Sequence, residues 1–394
     1  MEPPPPPPSR APPALADELV EEILLRSPPD DPARLVHAAL VCKRWCRLVS
    51  GIAFRRRFRR GPAPMLGFLC NDAPRAAAAA GDDDTCSARF VRTAASCPPL
   101  AARRGWHALD ARAGRVLLRR AAAQAIRLAV WDPLAAGDGD RHQNHLDLPA
   151  PLLPRPPRSW NAALLCDDDD DGRFHFRVVL VGTDAEGTFA CVYASPSEPA
   201  AAAWSEEAYA PQQQHTGAGG GDPVDGVRGA LVVGRERALY FVFQRRTRVL
   251  RYDLGTRGMS VVHLPPANHN QRIVLTTAED GGLGFARMEG YKLCLWSSAS
   301  TGGGGGALEW TRRRVIDLRT LLPVIDVLGF AHGLGIVLVG TVDGFFSVDQ
   351  QSGRINKVGD GPGFYNVVPY VSFCTPALRM TASAAADEGQ SANA

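Results

Sequence analysis

The sequence predicts an α+β multidomain protein: a small N-terminal helical segment followed by an all-β propeller of about six blades. Near the N-terminus, apolar residues recur at the spacing of amphipathic helices. From about residue 62 onward they form short runs separated by turn residues, which is typical of strands. These runs group into fours with a period of roughly 40–50 residues, which is typical of propeller blades.

Composition divides the chain into four parts. Residues 1–14 are proline-rich and residues 379–394 are polar and of low complexity, so we expect both tails to be disordered. Residues 15–60 carry the helical pattern and residues 62–378 the strand pattern. The 39 glycines and 32 prolines of the chain agree with a domain that contains many turns.

The helical segment predicts three helices and a short fourth turn. In the first, "LADELVEEILLRS", Asp17 is the expected cap and one apolar face combines Leu19, Val20, Ile23 and Leu24. In the second, Asp31 is the expected cap and Pro32 the first helical residue, and the stripe consists of Leu35, Val36, Ala39 and Leu40. The third, "LVCKRWCRLVS", places on one stripe Val41, Trp45, Leu48 and Val49.

The strand pattern is cleanest in the second half of the chain. Residues 227–265 predict a four-stranded antiparallel meander, and residues 272–318 and 327–360 repeat it. Two earlier copies, at 114–149 and 176–208, show three strands each, with "DDDDDG" and "QQQHTGAGGGD" as loop insertions. A sixth blade is expected to close by pairing "APMLGFLC" near residue 65 with "YNVVPYVSFC" at the end, which removes exposed sheet edges.

The chain's charge and hydropathy argue against two classes of partner. A formal net charge of +3 is too balanced to indicate nucleic acid as the main partner. The longest near-apolar run, residues 333–342, is far shorter than the ~20 residues that cross a bilayer, so no membrane is expected. Nine scattered cysteines and the absence of a visible signal peptide favour a reducing compartment, the cytoplasm and/or the nucleus.

The helical segment is short for the apolar surface that it carries. A segment of this size is near the limit at which one core stabilises a fold. Leu15, Leu25 and Cys42 add apolar surface beside the main stripes. Two interpretations remain open at this point: the helices complete their core on a partner protein, or they pack on the β domain of the same chain.

Residues 15–60 closely resemble an F-box. The shared pattern is a Leu-x-x-Glu-Ile-Leu helix, a proline-containing loop and a Val-Cys-Lys-x-Trp-x-x-Leu helix. The residues that match are Leu15, Leu19, Glu22, Ile23, Leu24, Leu25, Pro28, Leu35, Val41, Cys42, Lys43, Trp45, Leu48 and Phe54. Ala16 departs from the family's usual proline, which we expect to soften the start of the first helix and weaken partner binding.

The resemblance implies that the segment binds the Skp-type adaptor, and through it the cullin, of a Skp–cullin–F-box ubiquitin ligase. The implied adaptor-binding residues are Leu15, Leu19, Ile23, Leu24, Leu35, Val41 and Cys42. Trp45 and Leu48 are expected in the motif's own core.

The rest of the chain resembles the β-propeller-like region that follows the F-box in large plant families, notably of grasses. The matching pieces include "VWDPLAAG", "RYDLGTR", "VIDLRTLLP" and "VVPYVSF". The resemblance implies a non-catalytic adaptor that needs no cofactor and whose propeller binds a client protein for ubiquitination. The client and its binding residues cannot be read from the sequence. The alternative is a propeller scaffold that binds protein or glycan outside ubiquitin transfer, with a vestigial helical motif.

Other chemistries find weak support in the sequence. Cys42, Cys46 and His37 lack the fourth ligand and second cysteine pair of a structural zinc site. The glycine runs lack the Gly-Lys-Ser/Thr ending of a phosphate loop, and "CDDDDDG" lacks the spacing of a calcium loop. "FRRRFRR" is better explained as a solvated helix end with its phenylalanines facing inward than as a nucleic-acid patch.

An enzymatic propeller would require carboxylates around its channel. The candidates are Asp132, Asp253, Asp317 and Asp343, but two of them directly follow an aromatic residue, where aspartate commonly forms turns. No set of nucleophile, base and orienting residue can be assembled from the sequence.

Overall fold

The computed structural model describes residues 15–373 except 72–86, 94–96, 98–99, 101, 121–124, 135–143, 168–174, 196–202, 212–221, 235–236, 267–272, 300–307, 322 and 362–365. Both expected tails lie outside the described residues, as does most of each low-complexity insertion. The described chain forms two compact units, a helical unit over residues 15–62 and a β unit over Ala63–Phe373.

The helical unit contains the four predicted helical regions. They are α1 (Asp17–Leu25), α2 (Pro32–Val41), α3 (Lys43–Ser50) and α4 (Ile52–Phe58). Helix α3 packs against the other three helices, and α1 also contacts α4. The core side chains are Val20, Leu24, Leu35, Ala39, Val49, Phe54 and Phe58. The rings of Phe54 and Phe58 stack with centroids 5.9 Å apart, which confirms that the phenylalanines of "FRRRFRR" face inward.

Two predicted details of the helices are wrong. Ala16, not Asp17, is the N-cap of α1, and its carbonyl accepts hydrogen bonds from the N–H groups of Leu19 and Val20 at 3.2 and 3.1 Å. The helix expected over residues 40–50 is interrupted, because Cys42 is extended, with φ −162° and ψ 162°. Val41 therefore ends α2, and α3 begins at Lys43.

The β unit is a six-bladed propeller of four-stranded antiparallel sheets. The closing blade contains β1 (Met65–Asn71), β2 (Ser87–Arg92) and β3 (Arg103–Arg104). Blade I contains β4 (Trp106–Arg112), β5 (Arg115–Arg120), β6 (Leu128–Trp131) and β7 (His145–Asp147). Blade II contains β8 (Ser159–Asp167), β9 (His175–Thr183), β10 (Gly187–Ala194) and β11 (Ala208–Pro211).

The three later blades follow the predicted meanders. Blade III contains β12 (Leu231–Val233), β13 (Ala238–Val242), β14 (Arg248–Asp253) and β15 (Met259–His263). Blade IV contains β16 (Ile273–Thr277), β17 (Leu283–Glu289), β18 (Lys292–Ala299) and β19 (Glu309–Asp317). Blade V contains β20 (Val324–Ala331), β21 (Ile336–Thr341), β22 (Gly344–Asp349) and β23 (Ile355–Gly359), and β24 (Asn366–Val371) follows it.

The C-terminal strand closes the ring, as predicted. Strand β24 pairs with β1 in antiparallel register, with Phe68 opposite Pro369 and Leu69 opposite Val368. The hydroxyl of Tyr370 donates a 2.9 Å hydrogen bond to the carbonyl of Gly114 and so ties β24 to blade I. The N- and C-terminal ends of the β unit thus share one sheet, which leaves no open gap in the ring.

Blades I and II differ from the sequence prediction at their first strands. Strands β4 and β8 were not among the predicted segments, since alanine and polar residues, which have low β propensity, interrupt them. Burial overrides that propensity, because Ala162, Ala163 and Leu164 of β8 are fully enclosed by neighbouring sheets. The last of the three strands expected over residues 176–208, "AAWSEEA", reduces to a bridge between Tyr193 and Trp204, and β11 begins only at Ala208.

The backbone at Ala16 predicts a stabilising substitution. Its φ of −63° equals the angle that proline imposes, so proline fits there without strain. Ala16→Pro should therefore raise the free energy of unfolding by roughly 0.4–1 kcal/mol, because it reduces the conformational entropy of the unfolded chain. Slower amide hydrogen exchange in α1 would show this effect. Ala38→Pro, inside α2, is the matched control and should destabilise by about 3 kcal/mol. Faster exchange in α1 of the Ala16 variant would contradict the expectation.

Ring closure predicts the effect of a C-terminal truncation. A chain that ends after residue 365 lacks β24 and the buried side chains Val367, Val368 and Tyr370. Burial of each such side chain contributes roughly 1.5–3 kcal/mol. The free energy lost with all three is comparable to the free energy of unfolding of a typical domain. We expect aggregation in gel filtration and no cooperative thermal transition of the β unit. A chain that ends after residue 378 should melt like the full chain, and equal melting of both truncations would contradict a closing role for β24.

Candidate functional site

Helix α1 carries apolar side chains on two faces. Val20 and Leu24 are buried, whereas Leu15, Leu19 and Ile23 are 52%, 55% and 54% exposed. Leu19 and Ile23 are four residues apart on α1 and therefore lie on one side of the helix, whereas Leu15 precedes the N-cap Ala16. These three residues are here called the α1 stripe. A contiguous exposed apolar face of this kind is typical of a surface that a partner covers.

Two arginines fix the orientation of α1. Arg44 of α3 donates from Nε to the Asp17 carboxylate and from Nη2 to the Leu15 carbonyl. Arg57 of α4 binds Glu21 and Glu22 through Nη1 and Nη2, at 2.9 and 3.0 Å. Each exposed ion pair contributes little to stability. Together they restrict rotation of α1 and so hold the α1 stripe in one orientation.

The junctions between helices expose further apolar side chains. Leu40 and Val41, at the end of α2, are 69% and 65% exposed, and Ile52, at the start of α4, is 73% exposed. Helical periodicity places Leu40 in the apolar stripe of the second helix and gives no role to Ile52. Both flank breaks in the helical path, at Cys42 and at Gly51, and helix periodicity fails at such breaks.

The residues implied by the F-box resemblance separate into two groups. Leu15, Leu19, Ile23, Val41 and Cys42 are exposed. Leu24 and Leu35 are only 4% and 0% exposed, so they lie in the core beneath the exposed side chains. Trp45 and Leu48, expected in the core, are half-buried.

The metal hypothesis gains no support from the described residues. Within that part of the chain, no three His, Cys, Asp or Glu side chains are grouped to hold a metal ion. Cys42 and His37 are exposed, and Cys46 is half-buried. The described helices include none that is long and apolar enough to span a bilayer.

The candidate channel carboxylates lie in four different blades. The carboxylates of Asp132, Asp253 and Asp317 accept backbone N–H groups of their own turns, at 2.9 to 3.1 Å. The Thr256 N–H lowers the pKa of Asp253, and the Arg319 side chain lowers that of Asp317. A lowered pKa favours the ionised carboxylate, which is unsuited to a general acid. These aspartates act as turn formers.

The polar groups between the inner strands connect blades to one another. Arg112, at the end of β4, donates to the Ala230 carbonyl before β12 and lies 3.1 Å from Nε2 of His332, after β20. Burial, and then the charge of Arg112, lower the pKa of His332 well below its ordinary value, so the ring is neutral. Arg228 binds the Asp326 carboxylate and the Val327 carbonyl. The arrangement ties three blades together.

Comparison with solved structures finds distant similarity to other propellers and enzymes. The β-propeller domain of Cps50 (Swd1) from Myceliophteria thermophila is 10% identical, with a TM-score of 0.39, over 75% of this chain and 90% of that chain. A putative 6-phosphogluconolactonase from Bacteroides fragilis is 11% identical, with a TM-score of 0.38, over 75% and 81%. The fold assignment rests on the sheet order described above. No curated protein matches the chain significantly.

Family models match both units. The F-box domain model matches residues 13–57, which include all four helices except the last residue of α4. The model described as the β-propeller of AT5G49610-like F-box proteins matches residues 107–330, more than half of the chain. The chain therefore belongs to the family of F-box proteins that carry an AT5G49610-like β-propeller.

Proposed function

We propose that the chain is the substrate-recognition subunit of a Skp–cullin–F-box ubiquitin ligase. Its helical unit docks on the Skp-type adaptor, which links it to the cullin, and its propeller holds a client protein. The exposed α1 stripe carries the proposal, because it is the surface that an F-box of this geometry has available for a partner. We further propose that the subunit acts in the cytoplasm or the nucleus.

The exposed apolar side chains would contribute several kcal/mol to docking. Burying a leucine or isoleucine completely is worth roughly 1.5–3 kcal/mol. Leu19 and Ile23 are already about half covered. Covering the remainder would therefore yield on the order of 1 kcal/mol for each. The α1 stripe with Leu40, Val41 and Ile52 would together supply several kcal/mol before the losses of translational freedom on association.

The function requires no catalytic group in this chain. Holding a client beside a ubiquitin-charged enzyme raises the effective concentration of its lysines, and a tether alone reaches the millimolar range. Carboxylates that form turns and a buried neutral histidine are compatible with that positional role. F-box proteins with a propeller have the architecture of substrate-recognition proteins.

Charge substitution in the α1 stripe tests adaptor docking. The double substitution Leu19→Asp and Ile23→Asp removes apolar area and would bury two carboxylates in the interface. We expect at least ~100-fold weaker binding to the purified Skp-type adaptor in isothermal titration calorimetry, which corresponds to about 2.7 kcal/mol. Because both side chains are exposed, the helical unit should retain its circular dichroism.

The matched control is Leu152→Asp, at a leucine of the β unit that is 95% exposed. It introduces one carboxylate, half the charge of the double variant, outside the helical unit and should leave adaptor binding unchanged. Undiminished binding by the Leu19/Ile23 double variant would exclude α1 as the docking face. Absence of cullin from the purified complex of the unsubstituted chain would instead favour a scaffold outside ubiquitin transfer.

A further inference from the structure

A groove of about 240 Å³ lies between blades II and III. Its apolar lining comes from both blades and includes Leu165, Val179, Val192 and Leu254, with the rings of Trp204 and Tyr252. Its volume is below the roughly 300–1,000 Å³ of sites that enclose a drug-sized ligand. The groove therefore suits one or two side chains of a peptide better than a cofactor.

Two arginines line the groove, one from each blade. Arg177 is on β9, opposite Leu165 of β8 and Ala194 of β10, and Arg257 is in the turn between β14 and β15. Burial raises the pKa of Tyr252, whereas the positive charges of Arg257 and Arg177 act in the opposite direction. Both guanidinium groups are thus close enough to act on the same ring, as is the Asp253 carboxylate with the opposite sign, and the charged side chains that line the groove are the two arginines.

The backbone that presents Arg257 is held in place. The Asp253 carboxylate accepts hydrogen bonds from the N–H groups of Gly255 and Thr256 at 3.0 and 2.9 Å. The backbone N–H of Asp253 donates to the Gly258 carbonyl at 2.9 Å. Arg257 itself takes a left-handed φ of 58°, where glycine is favoured. The turn fixes the position of its backbone, while its side chain remains exposed.

The groove also offers an apolar surface beside these charges. Leu165 and Val179 are buried in the core between the two blades, and Val192 and Leu254 pack against it. The indole N–H of Trp204 donates to the Pro149 carbonyl at 2.7 Å, so the polar atom of this residue is already bonded. An occupant therefore meets a positive rim and an apolar wall.

We propose that this groove recognises a short client segment that presents a carboxylate or a phosphate beside an apolar side chain. Arg257, together with Arg177, binds the anion by charge-assisted hydrogen bonds, and the apolar side chain covers Leu254 and Trp204. The inference rests on the proposed function, since it assigns the client-binding surface of the same adaptor. Such recognition weakens as salt is added, because Arg257 at the rim is exposed.

An oriented peptide library tests the inference. The full-length chain, bound to its Skp-type adaptor, is offered degenerate peptides with a fixed central glutamate, phosphoserine, glutamine or lysine. We expect retention of the glutamate or phosphoserine pool, with apolar residues enriched next to the fixed position, and little retention of the glutamine and lysine pools. The comparison of the glutamate and phosphoserine pools distinguishes a carboxylate from a phosphate. Equal retention of all four pools overturns the proposal.

Substitution of Arg257 locates the binding. Arg257→Gly removes the charge and also relieves the left-handed backbone, so its melting temperature should be no lower than that of the parent chain. Affinity for the best retained peptide, measured by fluorescence anisotropy, should nevertheless fall about tenfold or more, and Arg257→Glu should abolish binding. Lost affinity in a chain of unreduced stability cannot be attributed to unfolding.

Arg237→Gly is the matched control. Arg237 is an exposed arginine of the same blade, has φ 47°, and does not line the groove. Its substitution should have a similar effect on stability and none on peptide affinity. Equal losses of affinity in the Arg237 and Arg257 variants would overturn the assignment to the groove. Adaptor binding should be unchanged in every variant, so failure of this inference leaves the proposed docking function separately testable.

Discussion

The pairing of β24 with β1 is the interaction on which the β unit depends. It joins Val368 to Leu69 and so places residues from the two ends of the propeller in one sheet. Without it, the closing blade has an open edge and the inner strands of blades I and V have no common neighbour. Bringing together residues so distant in sequence costs the chain conformational entropy, because a long loop must be closed. The ring therefore gains stability only when it is complete.

Closure of the ring also explains why the β unit buries its apolar side chains more completely than the helical unit does. Each blade of the ring is covered on both sides, so strands such as β5 bury consecutive residues, among them Val116, Leu117 and Leu118. Four short helices cannot enclose a comparable core. They bury Val20 and Leu24 and leave Leu19 and Ile23 exposed on the same helix. The exposed surface is therefore a consequence of the unit's size.

The sequence predicted which segments are helices and strands better than which faces they expose. Periodicity placed Ile23 and Leu24 on one apolar face, yet only Leu24 is buried, because the angular resolution of a helical stripe is coarser than the contact surface. Strands β13 and β14, rich in large apolar residues, were predicted, whereas β8 was missed because alanines form its core-facing part. No local pattern marks Arg177 and Arg257 as neighbours. Only the packing of blade II on blade III brings them to one groove.

The arginines of the β unit belong to two classes: some hold blades together, and others line the groove. Arg112 and Arg228 are tied to carbonyls and carboxylates of other blades, so their loss would leave buried acceptors without donors and loosen the ring. Arg257 belongs to a turn whose hydrogen bonds come from Asp253 and from the backbone, and none of those bonds requires its side chain. The proposed specificity of the groove can therefore change with this residue while the scaffold stays the same. Since the α1 stripe belongs to a different unit, such a change would leave the proposed docking surface intact.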